Sequence, residues 1–598
     1  MNNLYTFLLL FAAIFSCFNN VSAQTSVAGG NVSGTWTLAD SPYLINGSIQ
    51  IPNGQTLTIE PGVTVDFQGH YKLYVQGQIL AIGTETDSIT FTAVDTSTGW
   101  KGIRFDNTPL TNDSSRLNYC IIKNGKASGT GDENYGGGIY FNYYSKTVIS
   151  YCLFIDNSAL NYASWAGGIY CNYSNPVIIN NTFSNNKSSS YGGAISILNS
   201  SPIISNNIFL NNSTTYGGGV FSTIYSSPII SNNTFSNNLA IHGGAIYCWG
   251  GSIPIIVNNI ITNNSATLDG GGIHIYSSYP IIDNNSFIQN SASNSGGGIY
   301  GSNGERGINN NFFINNSAVN NGGGIYSCGG SISNNIISNN FSNYGGGIYL
   351  CDSTTIINTT IANNNSTKGG GIYFYVSNSI VKNCIIWNNT VDSSGSQVFL
   401  NSEDSDPDFF YCNVQGGTND FGLNGDIFYT GTYQNNLDTN PLFVAPTAGS
   451  GTSYDGTTAD WSLQAGSPCI NAGTTDTTGL NLPSTDIVGN PRIRDGRIDI
   501  GAYESLPTSI NYLITDNSIN IYPNPNNGKF LLYLENFESK NYELQIFDIT
   551  GQIIYSKNYE NTVVLAENID ISEFGSGVYL VKISDGNKVF HKNIVIYK

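Results

Sequence analysis

Between residues 136 and 373, short alternating runs of apolar and polar residues are separated by glycine and asparagine. Within them a Gly-Gly-Gly-Ile-Tyr unit, or a close variant, recurs ten times at intervals of 23 to 30 residues. The aliphatic residues of the ten units are Ile139, Ile169, Ile195, Val220, Ile246, Ile273, Ile299, Ile325, Ile348 and Ile372. Such a period predicts a repeat architecture, in which each unit buries its apolar face by stacking on its neighbours.

Two further columns keep the same register. A large apolar residue recurs at Phe154, Phe183, Phe209, Phe235, Ile261, Phe287, Phe313, Ile337, Ile361 and Ile386. An asparagine follows each one three residues later, at Asn157, Asn186, Asn212, Asn238, Asn264, Asn290, Asn316, Asn340, Asn364 and Asn389. The segments are rich in β-branched and aromatic residues, and none shows a sustained helical period. Two or three short strands per turn predict an all-β protein built around a parallel β-helix.

The abundant asparagine has a structural interpretation. Asparagine tolerates left-handed backbone conformations at corners, and its stacked amides can bond from one turn of the helix to the next. Its Asn-x-Ser/Thr matches therefore do not indicate glycosylation.

The pairing of "GG(A/G)I" with "F-x-x-N" resembles the repeat of polymorphic outer-membrane proteins of the autotransporter type. More broadly, it is similar to the right-handed β-helix repeats of the pectin-lyase-like superfamily. The resemblance covers roughly residues 110–400. It implies a right-handed solenoid but no particular activity, because that superfamily includes lyases, hydrolases, adhesins and inert stalks.

The charge of the chain excludes one class of partner. The formal net charge is −19, and between Lys187 and Lys368 the only basic residue is Arg306. Nucleic-acid binding requires a basic face, which is missing here. Polyanionic uronates are also disfavoured as ligands unless a metal supplies positive charge.

Residues 1–23 have the pattern of a signal peptide, with an apolar run before a small-residue cleavage site between Ala23 and Gln24. A lipoprotein signal at Cys17 is the alternative. No later apolar run is long enough for a transmembrane helix.

Nine cysteines follow the signal. Cys120, Cys152 and Cys384 share one column, and Cys328 and Cys351 share another. Side chains in register point in parallel, which favours stacked buried thiols over disulfides. None of the cysteines has zinc-site spacing.

The segments flanking the repeats differ from them. Residues 24–110, with "LTIEPGVTV" and "GWKGI", resemble the N-terminal coils and cap of secreted bacterial β-helices. The ten repeats occupy 111–400, and 401–505 resemble a capping, anchor-associated module. Asp486, Asp499 and Glu504 in that module could bind calcium through their oxygens, or they could be acidic surface turns. No other cofactor is expected.

The C-terminal end shows a separate pattern. A linker at 506–517 precedes alternating strands over 518–598, which predict a small β-sandwich. The motifs at Tyr522-Pro523-Asn524-Pro525, at Gly577-Val578-Tyr579 and at the terminal Lys598 resemble a type IX secretion sorting domain. The resemblance implies handling by the type IX machinery and a secreted or outer-membrane-attached protein on a Gram-negative cell.

The candidate binding surface is the aromatic column directly after the repeat isoleucine. Its tyrosines are Tyr140, Tyr170, Tyr247, Tyr300, Tyr326, Tyr349 and Tyr373. Strand alternation predicts that these rings lie outside the coil, where they would bind a polysaccharide or a cell-surface ligand or simply stabilise the sheet. His242 and His274 occupy different columns, so no pairing between them is expected.

Two functions are consistent with these patterns. The first is a non-catalytic adhesin, stalk or glycan-binding scaffold. The second is a polysaccharide lyase or glycoside hydrolase whose site lies in the irregular coils of 100–165, where Lys123, Lys126, Asp132 and Glu133 cluster in an insertion.

Overall fold

The computed structural model describes residues 24–505 except 224, 303–306, 328, 479, 481 and 494–495. It also describes residues 519–596 except 523, 525, 535–539, 549–551, 563–564 and 585–588. The chain forms two compact units that divide between Ser505 and Leu506. The signal peptide with Ala23, the linker, Arg306 and Lys598 lie outside the described residues, whereas Gln24 is the first residue described.

The first unit is a parallel β-helix, in which each coil adds one strand to each of three 16-stranded sheets. Sheet 1 consists of Thr25–Val27, Tyr43–Ile45, Thr64–Phe67, Ile89–Ala93, Cys120–Lys123, Leu153–Ile155, Thr182–Ser184, Ile208–Leu210, Thr234–Ser236, Ile260–Thr262, Ser286–Ile288, Phe312–Ile314, Ile336–Ser338, Thr360–Ala362, Ile385–Trp387 and Asn413–Val414. Sheet 2 consists of Gly30–Asn31, Ile49–Ile51, Leu73–Val75, Ile103–Asp106, Ile139–Asn142, Ile169–Asn172, Ile195–Leu198, Val220–Thr223, Ile246–Trp249, Ile273–Tyr276, Ile299–Ser302, Ile325–Ser327, Ile348–Leu350, Ile372–Phe374, Val398–Leu400 and Gly422–Leu423. Sheet 3 consists of Gly34–Trp36, Thr56–Ile59, Gln78–Ile82, Ser115–Asn118, Thr147–Ser150, Val177–Ile179, Ile203–Ser205, Ile229–Ser231, Ile255–Val257, Ile281–Asp283, Gly307–Asn309, Ser331–Ser333, Thr355–Ile357, Ile380–Lys382, Asp408–Phe410 and Tyr433–Gln434.

Shorter elements complete this unit. A narrow fourth ladder between sheets 1 and 2 is formed by Lys126–Ala127, Ser158–Ala159 and Lys187–Ser188, and then by Leu239–Ala240, Ser265–Ala266, Ser291–Ala292, Ser317–Ala318, Phe341–Tyr344, Asn365–Lys368 and Thr390–Ser394. Phe443–Ala445 pairs antiparallel with Asp460–Leu463. Single turns of 3-10 helix occur at Leu38–Asp40, Gly131–Asn134, Gly417–Asp420 and Gly456–Thr458.

The predicted columns form the interior of the coil. The repeat isoleucines and the phenylalanine column are fully buried in one continuous core. Neighbouring rings stack at parallel-strand spacing, as for Phe209 and Phe235, whose centroids are 4.5 Å apart. The repeat pattern therefore predicted both the fold class and the inward-facing residues correctly.

The asparagines have both of the expected roles. Asn232 and Asn258 turn corners in the left-handed region, with φ of 55° and 57°. Asn212 is buried, and its Nδ2 donates to the Phe183 carbonyl and to Asn238 Oδ1, each at 3.0 Å. A second buried ladder runs beside the corners, where Asn207 Nδ2 donates to Asn233 Oδ1 at 3.0 Å. This second ladder was not among the columns recognised in the sequence.

The last Gly-Gly repeat does not end the solenoid. Coils continue to Gln434, and the chain then folds back along the outside of sheet 1 instead of stacking on its end. Trp461 and Ile500 bury Ile336 and Ile385, which point outward from that sheet. Thr474 N–H donates to Asn383 Oδ1 at 2.8 Å, which ties the returning segment to a corner.

Among the described residues, the cysteines follow the expected pattern except at Cys351. Cys120 and Cys152 are buried free thiols, and the Cys120 amide donates to Cys152 Sγ at 3.4 Å. Cys351 is disulfide-bonded, so the preference for stacked thiols is wrong at that position. Cys328, which shares its column, lies outside the described residues.

The second unit is the predicted β-sandwich. One sheet contains Ile519–Tyr522, Lys529–Leu534 and Leu565–Asp570, and the other contains Lys540–Phe547, Ile553–Thr562, Gly577–Ser584 and Val589–Ile596. Both sheets are antiparallel. Phe530 and Leu532 from one sheet and Leu544, Val581 and Ile594 from the other share one core.

Candidate functional site

The turn before each repeat isoleucine determines what lies on the outside of sheet 2. Gly243 and Gly270 adopt φ of 67° and 71°, a region that favours glycine. A Cβ on Gly270 would lie 2.5 Å from the Ile273 carbonyl oxygen and 2.8 Å from His274 Cβ. This tight turn folds the residue before the glycine over the residue after the isoleucine.

As a result, the tyrosine column is largely covered. The rings do point away from the core, but Tyr140, Tyr170, Tyr247, Tyr349 and Tyr373 are buried, and Tyr300 and Tyr326 are partly exposed. Their cover consists of the residues that precede the glycines. Trp165 contacts Tyr170 edge-on at 5.9 Å, and Tyr216 contacts Tyr247 edge-on at 5.2 Å. The expectation of an exposed ring ladder is therefore wrong for most of the column.

The same glycine turn brings together two histidines that were expected to lie apart because they occupy different columns of the repeat. The rings of His242 and His274 lie 4.9 Å apart and nearly perpendicular, so the expectation that they do not meet is wrong. His242 Nδ1 lies 3.5 Å from Asp269 Oδ2. His242 and Asp269 each stand directly before a glycine turn, in consecutive coils. That shared register position is the sequence signal that could have revealed the cluster.

Asp269 and His274 are held from several sides. Asp269 Oδ1 accepts hydrogen bonds from Asn294 Nδ2 at 2.7 Å and from Ser295 N–H at 3.2 Å. His274 Nδ1 lies 3.4 Å from the Asp269 carbonyl oxygen. The His274 ring is also packed between Tyr247 at 4.7 Å and Tyr300 at 4.6 Å.

These surroundings shift the pKa values of two members of the cluster. Burial and the neighbouring His242 lower the pKa of His274 to about 3, so its imidazole is neutral at pH 7. Burial raises the pKa of Asp269, but contacts from His242 and Asn294 outweigh burial and leave that pKa below its ordinary value. The carboxylate is therefore ionised beside a neutral imidazole.

The cluster forms part of the wall of an open cavity of about 370 Å³ on sheet 2. Tyr191, Tyr216, Tyr247, Trp249, Tyr276 and Tyr300 complete the wall. Tyr276 is 42% exposed, and Trp249 is partly exposed. We call this the aromatic pocket. It combines several ring faces with one carboxylate and two imidazoles.

The insertion in coils 100–165 does not form a comparable site. Glu133 bridges Lys72 at 3.3 Å and Lys101 at 2.7 Å. Lys126 Nζ donates to the Ser97 carbonyl at 2.6 Å. Arg104 is buried over the Tyr140 ring at 4.2 Å and bonds the Asp132 carbonyl, so it clamps the insertion to sheet 2. Glu133, Lys126 and Arg104 are thus engaged in contacts with neighbouring coils.

The three predicted calcium ligands lie together, but their oxygens already accept bonds from the protein. Asp486 Oδ2 accepts the Glu504 N–H at 2.8 Å, and Asp499 Oδ1 accepts the Asn471 N–H at 2.7 Å. Glu504 Oε1 pairs with buried Arg492 at 2.8 Å. A calcium ion would have to displace these donors. The arrangement therefore fits a buried hydrogen-bond network in the returning segment better than a calcium site. Calcium there stays a prediction.

Two family models match the chain. Residues 46–238 and 167–342 match the right handed beta helix region, which agrees with the solenoid described above. Residues 520–597 match the secretion system C-terminal sorting domain, which confirms the predicted sorting sandwich. None of the helices in the described part of the chain is long and apolar enough to cross a membrane.

Two known proteins match this chain in sequence over short stretches, and one solved structure matches over a longer part. Protein bark beetle of Drosophila melanogaster is 34% identical over 82 residues, which is 13% of this chain and 3% of that protein. An ulvan lyase of Nonlabens ulvanivorans is 28% identical over 80 residues, which is 13% of this chain and 14% of that protein. A PL6 family polysaccharide lyase from Pseudopedobacter saltans is 10% identical with a TM-score of 0.20, over 56% of this chain and 85% of its own. At that TM-score the last comparison carries no functional argument.

Proposed function

Because this chain is a right-handed β-helix protein whose sorting domain directs it through the type IX system to the cell surface or beyond, we propose that it works there as a non-catalytic scaffold that binds glycans. The binding site in this proposal is the aromatic pocket. The observation that carries it is the convergence of one exposed ring, several partly exposed rings and a few polar groups on one concave surface.

The chemistry of the pocket suits a sugar. The apolar C–H face of a pyranose can lie on Trp249 and Tyr276, which present part of their surface to solvent. Its hydroxyl groups can donate to Asp269 and bond with His242 at the edge of the rings. A cavity lined mostly by aromatic groups with a few fixed polar groups is the usual form of a small-molecule site.

The same lining argues against hydrolysis at this site. A glycosidase requires two carboxyl groups at a set separation, and Asp269 is the sole carboxylate among the described lining residues. Those residues also include no lysine or arginine. Neutral glycans are therefore the favoured ligand class for the pocket without bound metal.

The test is glycan binding by the full mature chain, residues 24–598, on an array of bacterial, algal and host glycans, followed by titration calorimetry on the best ligand. We expect Trp249→Ala and Tyr276→Ala each to weaken binding by about tenfold, since truncating an aromatic anchor commonly costs more than about 1 kcal/mol and about 1.4 kcal/mol corresponds to tenfold in affinity. Tyr162→Ala is the control, because Tyr162 is 97% exposed and does not line the pocket. Equal affinity of all three variants and the parent would refute the proposal.

The alternative function is a polysaccharide lyase or glycoside hydrolase. It is supported by the 28% identity to an ulvan lyase over 80 residues. Release of unsaturated sugars or reducing ends from a panel of acidic and neutral polysaccharides would establish it. If Asp269→Asn abolishes the activity, the reaction takes place in the aromatic pocket. If this variant remains active, the site is to be sought in coils 100–165.

A further inference from the structure

We propose that His242, Asp269 and His274 form a binding site for one first-row transition-metal dication of the Zn²⁺ type. The site lies on the wall of the aromatic pocket and is independent of whether that pocket binds a glycan. Among the described residues, these three are the one group of histidine, cysteine and acidic side chains with metal-ligating proximity.

The first argument is distance. One ligand atom from each residue can be chosen so that all three lie within 4.8 Å of one another. Zinc binds imidazole nitrogen and carboxylate oxygen at about 2.0–2.2 Å, which places two ligands of a tetrahedral ion roughly 3.4 Å apart. His242 Nδ1 and Asp269 Oδ2 are already 3.5 Å apart. The His274 nitrogen would have to move toward the other two ligand atoms, within the 4.8 Å that separates the three residues' ligand atoms.

The second argument is the hydrogen bonding around the cluster. Metal-bound histidines usually donate their other ring N–H to a carbonyl or carboxylate. If His274 Nδ1 donates to the Asp269 carbonyl at 3.4 Å, its Nε2 keeps a free lone pair. Asp269 Oδ1 is occupied by Asn294 and Ser295, which orients the carboxylate and leaves Oδ2 directed at His242.

The third argument is an unsatisfied polar atom. His242 Nδ1 is buried and has no hydrogen-bond partner, although it lies at ion-pair distance from Asp269. A buried nitrogen without a hydrogen bond is destabilising, because it has lost its contact with water and gained no partner in the protein. A metal ion between this nitrogen and Asp269 Oδ2 would satisfy both groups.

The ligand set selects the class of metal. Imidazole nitrogens suit zinc, copper, nickel and iron, whereas calcium and magnesium require oxygen ligands. Two neutral imidazoles and one carboxylate would leave a bound dication with a net charge of +1. Three protein ligands also leave at least one position open toward the cavity for water or a ligand oxygen.

The experiment measures metal binding to the full mature chain, 24–598, after treatment with EDTA. Zinc is titrated by calorimetry, and Co²⁺ provides a visible spectrum that reports nitrogen and oxygen ligation. We expect one site per chain that Ca²⁺ and Mg²⁺ in hundredfold excess do not displace. His242→Gln and Asp269→Asn should each weaken binding at least tenfold and change the cobalt spectrum.

Two controls keep the result decisive. His70→Gln removes a histidine outside the cluster, where it contacts Ser128 and Gly99, and should leave affinity unchanged. Thermal unfolding of each metal-free variant separates loss of ligation from loss of folding. Equal zinc affinity in the parent, His242→Gln and Asp269→Asn would overturn the proposal, as would equal losses in His70→Gln. The glycan array repeated with EDTA tests the glycan proposal separately.

Discussion

His242 Nδ1 lies 3.5 Å from Asp269 Oδ2, although the two residues belong to different coils of the β-helix. They occupy the same register position, directly before the glycine turn of consecutive coils, so parallel stacking places them side by side. His274 then arrives from the coil of Asp269, after the turn at Gly270. The cluster therefore depends on both the stacking of coils and the direction of a single turn.

The turn itself can be tested with two glycines. Gly270 and Gly251 both have positive φ, but a Cβ would clash only at Gly270, because nothing lies within 4 Å of the position at Gly251. Left-handed backbone costs an alanine about 1–2 kcal/mol at either site, and overpacking adds about 1–3 kcal/mol at Gly270. We expect Gly270→Ala to lower the thermal midpoint clearly more than Gly251→Ala does. Equal midpoints would show that the turn is not sterically constrained.

The asparagine ladder should carry much of the stability of the solenoid. Asn238 Oδ1 accepts the Asn212 N–H at 3.0 Å, and Asn238 Nδ2 donates to the Phe209 carbonyl at 2.9 Å. Asn238→Ala would leave the buried Asn212 amide unpaired, at a cost of about 1–3 kcal/mol. Urea unfolding should show this loss. Ser236→Ala, whose hydroxyl accepts only an exposed contact from Asn237, should leave the unfolding midpoint nearly unchanged.

Stability should depend on pH through His274. Its pKa is lowered from 6.5 to about 3 in the folded protein, so the unfolded chain binds the proton more tightly. The contribution of His274 to the free energy of unfolding is therefore complete above pH 6.5 and decreases as pH falls toward 3. Between pH 6.5 and 5.5 it decreases by about 1 kcal/mol. Asp269, whose pKa is lowered from 3.8, loses its contribution as pH falls through 3.8 and below, so it does not contribute to the change between pH 6.5 and 5.5.

His274→Tyr provides the matched variant for that measurement. Tyrosine is the residue found at this column position in the neighbouring coils, at Tyr247 and Tyr300. Unfolding in EDTA across pH 4.5–7.5 should show the free energy of unfolding of the parent decreasing relative to that of His274→Tyr as pH falls below 6.5. Identical slopes in the two proteins would contradict the assignment of the slope to His274.

The presence of the sorting domain predicts where a protein that lacks it will be found in the cell. Deleting residues 518–598 removes the region that matches the C-terminal sorting domain, so we expect the remaining protein to stay in the periplasm. Cell fractionation with an antibody against the solenoid measures this, and the full chain is the control. Appearance of the truncated protein at the surface would show that export does not require the domain. N-terminal sequencing of the exported protein should begin at Gln24.

Local repeated patterns determined most of what the sequence could reveal. The period of the glycine units, the phenylalanine column and the Asn212-type ladder are each visible in the linear order of residues, because every coil makes the same contacts with the next. The C-terminal alternation likewise predicted a sandwich, since period-two strands have one buried face. These features required no knowledge of how distant segments approach one another.

Only the tertiary structure decided the functional surface. Strand alternation correctly predicted that the tyrosine rings point outward. No periodicity encodes the direction of the glycine turn, and this direction covers most of the rings and brings His242 over His274. The returning segment that buries Ile336 and Ile385 also depends on a long-range contact. The sequence by itself thus determined the coil and its interior through stacking between neighbours, and the structure decided the exposed chemistry through the path of the chain between strands.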